Sequence, residues 1–212
     1  MELFGANASP FVRKVLLYAA EKGLELTLKP GGIGASNPDF EAISPFRKIP
    51  AFRDGDFSIC DSTAIITYLE AKYPVPSLIP ADPAARAWTI WFEELADTIL
   101  AAAGSKIFFN RVVAGLIGRE GDMAVADGAE KDELPRIYAY LEGVVPDSGF
   151  LVEDRLTLAD IAVVSPIVNM GYCSKALAEG PYPKLQAYVA AILARPALKA
   201  VIDTEMKVMG RA

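Results

Sequence analysis

Histidine is missing from all 212 residues of this chain. That absence excludes a Ser-His-Asp or Cys-His catalytic unit, a histidine general base and every histidine-ligated metal centre. Cysteine is almost as scarce. Cys60 and Cys173 are the 2 cysteines, too few and too far apart for a disulfide framework, so a reducing, cytoplasmic setting is expected. No run approaches the ~18 consecutive apolar residues of a membrane span. The opening MELFGANASP lacks the basic and long apolar regions of a secretory signal. Positive charge is in the minority, with 21 Lys and Arg against 27 Asp and Glu for a net −6, which argues against a nucleic-acid or anionic-membrane partner. Chemistry must therefore come from hydroxyls, carboxylates, lysines, backbone dipoles or a borrowed thiol.

What is present has a clear order. Glu2–Gly5 reads as a strand. Ser9 is a favoured N-cap with Pro10 at the first helical position, and Phe11, Val12, Val15, Leu16 and Ala19 recur at helical spacing until Lys22-Gly23 closes the helix. Leu24–Lys29 reads as a second strand, completing a βαβ unit. A loop with a weak helical turn near Asp39–Ile43 leads to two β-prone runs, Pro50–Arg53 and Phe57–Cys60, around the hairpin signal Asp54-Gly55. A helix over Thr63–Tyr73 follows. The order βαβ, loop, ββα gives an α/β domain with a mixed four-stranded sheet of thioredoxin type. Pro74, Pro76, Pro80 and Pro83 mark a boundary, so residues 1–75 form the first domain, 76–83 a linker and 84–212 the second. Helical patterns at about Ala84–Ala103, Lys106–Ile117, Ala124–Glu142, Leu158–Asn169, Pro183–Ala194 and Pro196–Met206 make that second domain an all-α bundle.

Few residues stand out chemically. A strand opened by Pro50 and a helix opened by Asp61-Ser62 can together grip a small peptide-like anion. On the residues alone, Ser9 and Asp61 are better explained as helix caps, and Lys48 as a solvated lysine. Thr157 and Asp160 form a capping-box variant ahead of the apolar run Ile161–Val168, the expected buried axis of the bundle, and Thr157→Ala should cost ~1 kcal/mol. Cys60, Cys173, Trp88 and Trp91 read as packing residues, and Arg13 and Arg47 as ordinary surface charges.

Taken together, Ser9-Pro10-Phe11, Lys48-Ile49-Pro50, Asp61-Ser62-Thr63-Ala64-Ile65, Thr157-Leu158-Ala159-Asp160 and the late Arg195-Pro196 resemble the cytosolic glutathione transferases, closest to serine-type members such as the tau class and bacterial relatives. The resemblance implies that glutathione is the co-substrate, with no metal, and that a small hydrophobic electrophile is the second substrate. It implies a cis bond before Pro50 that turns the N–H and C=O of Ile49 outward to pair with the cysteinyl backbone of glutathione. Asp61 would take the γ-glutamyl ammonium, Ser62 and the helix N-terminus its carboxylate, and Lys48 the glycyl carboxylate. Ser9 would donate to the sulfur and stabilise the thiolate, with Asn7 the second choice. Phe11, Phe108 and Arg111 are candidate walls of an electrophile pocket between the domains, since such pockets favour domain junctions, with the helical core the stronger reading for Phe108. A homodimer is implied too. The competing classes are a regulatory binding protein, such as an RNA polymerase-associated one, and a glutathione-dependent peroxidase, dehalogenase or isomerase.

Overall fold

The structure is a computed structural model and describes residues 1–210. The elements run β1 (Glu2–Gly5), α1 (Pro10–Glu21), β2 (Thr27–Pro30), α2 (Pro38–Ile43), β3 (Ala51–Asp54), β4 (Phe57–Cys60) and α3 (Ser62–Lys72). Helices follow: α4 (Pro83–Leu116), α5 (residues 123–144), α6 (Leu158–Cys173), α7 (Pro183–Leu193) and α8 (Pro196–Val208).

By internal contacts the chain divides into two units, Met1–Leu78 together with the chain from Arg195 onward, and Ile79–Ala194. In the first unit the sheet order is β2-β1-β3-β4. β1 runs parallel to β2 and antiparallel to β3, and β3 is antiparallel to β4, the thioredoxin-like arrangement that the βαβ-ββα pattern predicts. The hairpin turn lies one residue later than the sequence suggests. Asp54 still pairs with Phe57 in the ladder, leaving Gly55 and Asp56 as the turn, with Gly55 at φ +61, a conformation glycine adopts without steric cost. Gly5 is needed for a different reason: a Cβ there would lie 2.4 Å from Val12 Cγ2, so the end of β1 meets α1 backbone-close.

The last helix belongs to the first unit and not, as its sequence position suggests, to the helical bundle. Arg13 on α1, read from sequence as a surface charge, is 0% exposed. Its Nε donates to Glu205 Oε2 on α8 at 2.6 Å and its Nη2 lies 2.5 Å from Oε1. Arg195 reaches Glu21, the last residue of α1, with Nε to Oε1 at 2.7 Å. A bidentate pair between two buried residues satisfies guanidinium and carboxylate together, which is what makes a charge tolerable there.

The second unit is all helix. α6 is apolar on every face, and Leu158 to Met170 are buried without interruption, as the Ile161–Val168 run predicts. Asp160 anchors its start: Oδ2 accepts from Thr157 N at 2.8 Å and Thr157 Oγ1 at 3.2 Å, and Oδ1 from Leu151 N and Tyr188 Oη, both at 2.9 Å. Burial pushes this carboxyl up against the pull of those donors. The two helices expected over Ala84–Ala103 and Lys106–Ile117 are one helix, α4, with π-helical turns at Leu95–Leu100 and Phe109–Val113. Gly104 falls in the gap between those two expected helices; a Cβ there would meet Met170 Cε at 3.3 Å, so it serves close packing of α4 on α6. Trp88 and Trp91 are not core residues. They are 56% and 44% exposed.

A cluster at the far end of α1 ties down the chain after α3. Glu70 accepts from Lys22 Nζ at 2.6 Å, Ser77 Oγ at 2.9 Å, Leu78 N at 3.1 Å and the Tyr18 hydroxyl. Burial pushes the Glu70 carboxyl up, but the hydrogen bonds from Lys22, Tyr18 and Ser77 outweigh it and hold it below its ordinary value. A carboxylate depressed by folding stabilises above its unfolded pKa, and that contribution disappears as pH falls through its folded-state value. Glu70→Gln should therefore lower stability by about 1–3 kcal/mol at neutral pH. It should lose less further stability than the parent on acidification, as urea unfolding between neutral and acid pH will measure.

Candidate functional site

Sheet register decides where the singled-out residues go. Phe4 pairs with Ala51, and Ala51 pairs with Cys60. The end of β1, the start of β3 and the end of β4 therefore lie at one edge of the sheet. The segments attached there are Ala6–Ser9 leading into α1, Lys48–Pro50 leading into β3, and Asp61–Ser62 opening α3. Across β1, β3 and β4 there are two strand spacings, about 10 Å, which is also the reach of about three extended residues.

Each segment presents hydrogen-bonding capacity that the fold leaves unused. Ser9 is the N-cap of α1, its Oγ accepting from Val12 N at 3.4 Å. That bond uses a lone pair, and the hydroxyl proton has no acceptor among the described residues. Capping and donating to a ligand are thus compatible roles for one hydroxyl. The side chain of Asn7, half-buried two residues earlier, makes no hydrogen bond among the described residues. Ahead of β3 the Ile49–Pro50 bond is cis, and the Ile49 N–H and C=O have no partner among the described residues. The Ile49 side chain packs with Ile43 and Cys60 against Phe4, Phe40 and Ala51. Ser44 Oγ fixes the approach, donating to Lys48 O at 2.7 Å and accepting from Lys48 N at 3.0 Å. The Lys48 ammonium is exposed, with no ion pair among the described residues.

Asp61 caps α3 through one oxygen only: Oδ1 accepts from Thr63 N at 2.9 Å and Ala64 N at 3.0 Å, leaving Oδ2 available. Its backbone sits at φ 85, a left-handed conformation that costs a non-glycine residue of order 1–3 kcal/mol. The Asp61 N–H bonds Pro50 O at 3.1 Å, tying two of the three segments together. Ser62, the first residue of α3, is 2% exposed. Its hydroxyl makes no hydrogen bond among the described residues, so a buried donor waits at the positive end of a helix.

The expected pocket walls fare differently. Phe11 is half-buried on α1. Phe108 is 7% exposed, its ring centroid 6.4 Å from Tyr172, and it belongs to the helical core. Arg111 is committed to its own unit: Nη1 donates to Cys173 O at 2.8 Å, and Nη2 reaches Asp127 Oδ1 and Glu130 Oε2 at 2.6 Å each. Those acids hold its guanidinium charged, so Arg111 is a strut and not a pocket wall. Both cysteines are half-buried and in no disulfide, Cys60 packing on the Phe4–Phe40 cluster. Among the described residues no group of three or more Cys, Asp or Glu side chains is placed to hold a metal ion. Lys14, buried on α1 with Nζ 3.5 Å from Thr63 Oγ1, lies beside the α3 end of the site.

Known proteins share this arrangement. Residues 3–77 match the family model described as "Glutathione S-transferase, N-terminal domain", and residues 110–205 the corresponding C-terminal domain. A glutathione S-transferase of Hyoscyamus muticus is 34% identical over 212 residues, covering 96% of this chain and 98% of that protein. The structure of a glutathione S-transferase III in its apo form superposes with a TM-score of 0.82 at 31% identity, with 95% of each chain covered. A theta class glutathione S-transferase from Xanthomonas axonopodis pv. citri, solved with glutathione bound, superposes with a TM-score of 0.80 at 28% identity over 94% of this chain and 95% of that one. Sequence motifs, sheet topology and full-length likeness agree: this chain belongs to the glutathione S-transferase family.

Proposed function

We propose that this chain ionises the thiol of glutathione at the start of α1 and directs the thiolate onto a small hydrophobic electrophile. The observation that carries the reading is the set of uncommitted groups along one sheet edge: the Ser9 proton, the Ile49 backbone, the Lys48 ammonium, Asp61 Oδ2 and the Ser62 hydroxyl. An extended tripeptide of about 10 Å spans them. Its backbone pairs with Ile49 as an added strand does. Its amino-acid end meets Asp61, Ser62 and the α3 N-terminus, and its other carboxylate meets Lys48.

The thiol itself titrates near ~8.5 and is mostly protonated at neutral pH. Ser9 donating to sulfur, with the N-terminal dipole of α1 behind it, favours the thiolate, and the thiol proton leaves to solvent. Each unit of lowering is worth about 1.4 kcal/mol. The thiolate then forms a carbon–sulfur bond as the electrophile's leaving group departs with its electron pair. Histidine has no part in this. Phe11, on the first turn of α1, is the wall residue retained for the electrophile. Two cysteines outside any disulfide fit a reducing, cytoplasmic setting.

The active form is a homodimer in this reading. Phe46 is 83% exposed beside Ser44–Pro50. A groove on the second unit is lined by Trp91, Leu95, Ile99, Ile137 and Tyr140 together with Asp132, Glu133 and Arg136. An exposed aromatic suits an apolar groove with a charged rim on a second copy.

Three measurements test the proposal. Ser9→Ala should retain glutathione but lose about a hundredfold in kcat toward a model aryl halide; unchanged turnover assigns the sulfur contact to Asn7 or the backbone. Asp61→Asn keeps an equally good cap, so it should raise the KM for glutathione about tenfold with kcat nearly intact. Phe46→Ser should shift the protein from dimer to monomer in analytical ultracentrifugation, and a dimer that persists removes Phe46 from the interface.

A further inference from the structure

The segment that joins β1 to α1 carries a polar side chain besides Ser9. Ala6 to Ser9 form a turn closed by Ser9 N donating to Ala6 O at 3.0 Å, and Asn7 stands at its second position. The turn is fixed at both ends, by the close approach of Gly5 to Val12 on one side and by the Ser9 cap of α1 on the other. Asn7 lies two residues before Ser9, which keeps their Cα atoms within about 7 Å. Both of its neighbours are alanine, so no bulky side chain from the turn crowds it. The Asn7 carboxamide is half-buried and makes no hydrogen bond among the described residues, leaving two N–H donors for a ligand. It is also neutral. A neutral donor gives little to an uncharged ground state and much more to an oxygen that is acquiring negative charge.

We propose that Asn7 is a catalytic residue that donates to a carbonyl oxygen of the electrophile as charge builds on it, so that uncharged α,β-unsaturated carbonyl compounds are a preferred class of second substrate. This deepens the glutathione reading and rests on it, with Ser9 as the contact to sulfur. The thiolate attacks the β-carbon and a carbon–sulfur bond forms. The alkene π pair moves to join the α-carbon to the carbonyl carbon, and the carbonyl π pair moves onto oxygen to give an enolate. That oxygen takes the electron pair a leaving group would otherwise carry away. Water then protonates the α-carbon, the carbonyl re-forms and no group departs. Asn7 holds the oxygen through this sequence and gives up no proton. The positive end of α1 favours the same charge, and half-buried Phe11 on its first turn offers apolar surface to the hydrocarbon part.

Two electrophiles separate this role from a contact to sulfur. Methyl vinyl ketone passes through an enolate, whereas benzyl chloride loses chloride and places no charge on oxygen. At saturating glutathione, Asn7→Ala should lower kcat/KM for the ketone about a hundredfold and shift the ketone-to-chloride ratio at least tenfold. Asn7→Asp suits a turn as well as asparagine does, so it keeps the test decisive if the alanine variant fails to fold. It puts a negative charge where the enolate oxygen forms, and it should shift the ratio further in the same direction. The thiol pKa of bound glutathione, read from thiolate ultraviolet absorbance against pH, should be the same in Asn7→Ala as in the parent. Equal losses on both electrophiles, an unchanged rate with the ketone, or a raised thiol pKa in Asn7→Ala overturns the proposal. A parent that binds no glutathione would instead overturn the broader functional reading.

Discussion

Everything in the candidate site depends on strand register. Because Phe4, Ala51 and Cys60 stand side by side across β1, β3 and β4, three segments far apart in sequence leave the sheet at the same edge. A slip of one residue in either pairing would turn the apolar face of a strand outward, and it would also move Ser9, Ile49 or Asp61 out of line. Gly5 against Val12 and the Asp61–Pro50 hydrogen bond secure that edge from both sides. Binding geometry is thereby set by the same pairing that builds the core.

Two helices point their N-termini at this edge, and each is capped by a side chain that keeps something in reserve. Ser9 gives a lone pair to α1 and keeps its proton; Asp61 gives one oxygen to α3 and keeps the other. A cap is commonly seen as the end of a residue's usefulness. Here it fixes the side chain's position for a ligand, which is how a short polar group on a loop acquires the precision of a helix. The left-handed backbone of Asp61 is the accompanying cost, borne where function sits.

How much of this is legible in the linear chain follows from the range of each interaction. The caps at Ser9, Asp61 and Thr157, the hairpin and the strand–helix order depend on neighbours within a few residues, and each is readable from sequence. Whatever depends on distant partners is not. The single helix through Gly104 reads as two because the packing partner of Gly104, Met170, is 66 positions away (170 − 104). Arg13 reads as a surface charge because the carboxylate that allows its burial is 192 residues downstream. Arg111 reads as a pocket wall because Asp127, Glu130 and Cys173 cannot be assigned to it from spacing. Lys14 carries no signal at all, since a lysine on a helix is ordinarily solvated, and its burial becomes visible only when α3 lies against α1.

The clasp between Arg13 and Glu205 has a consequence for biosynthesis. Helix α1 carries the residue proposed to act on sulfur, and its buried guanidinium meets the Glu205 carboxylate only once a segment 192 residues later has been made. A nascent thioredoxin-like unit lacks that bidentate partner, so its folding is completed late. The first domain to be translated is thus among the last to be finished. Loss of α8 would take from α1 a contact that no nearer part of the sequence announces.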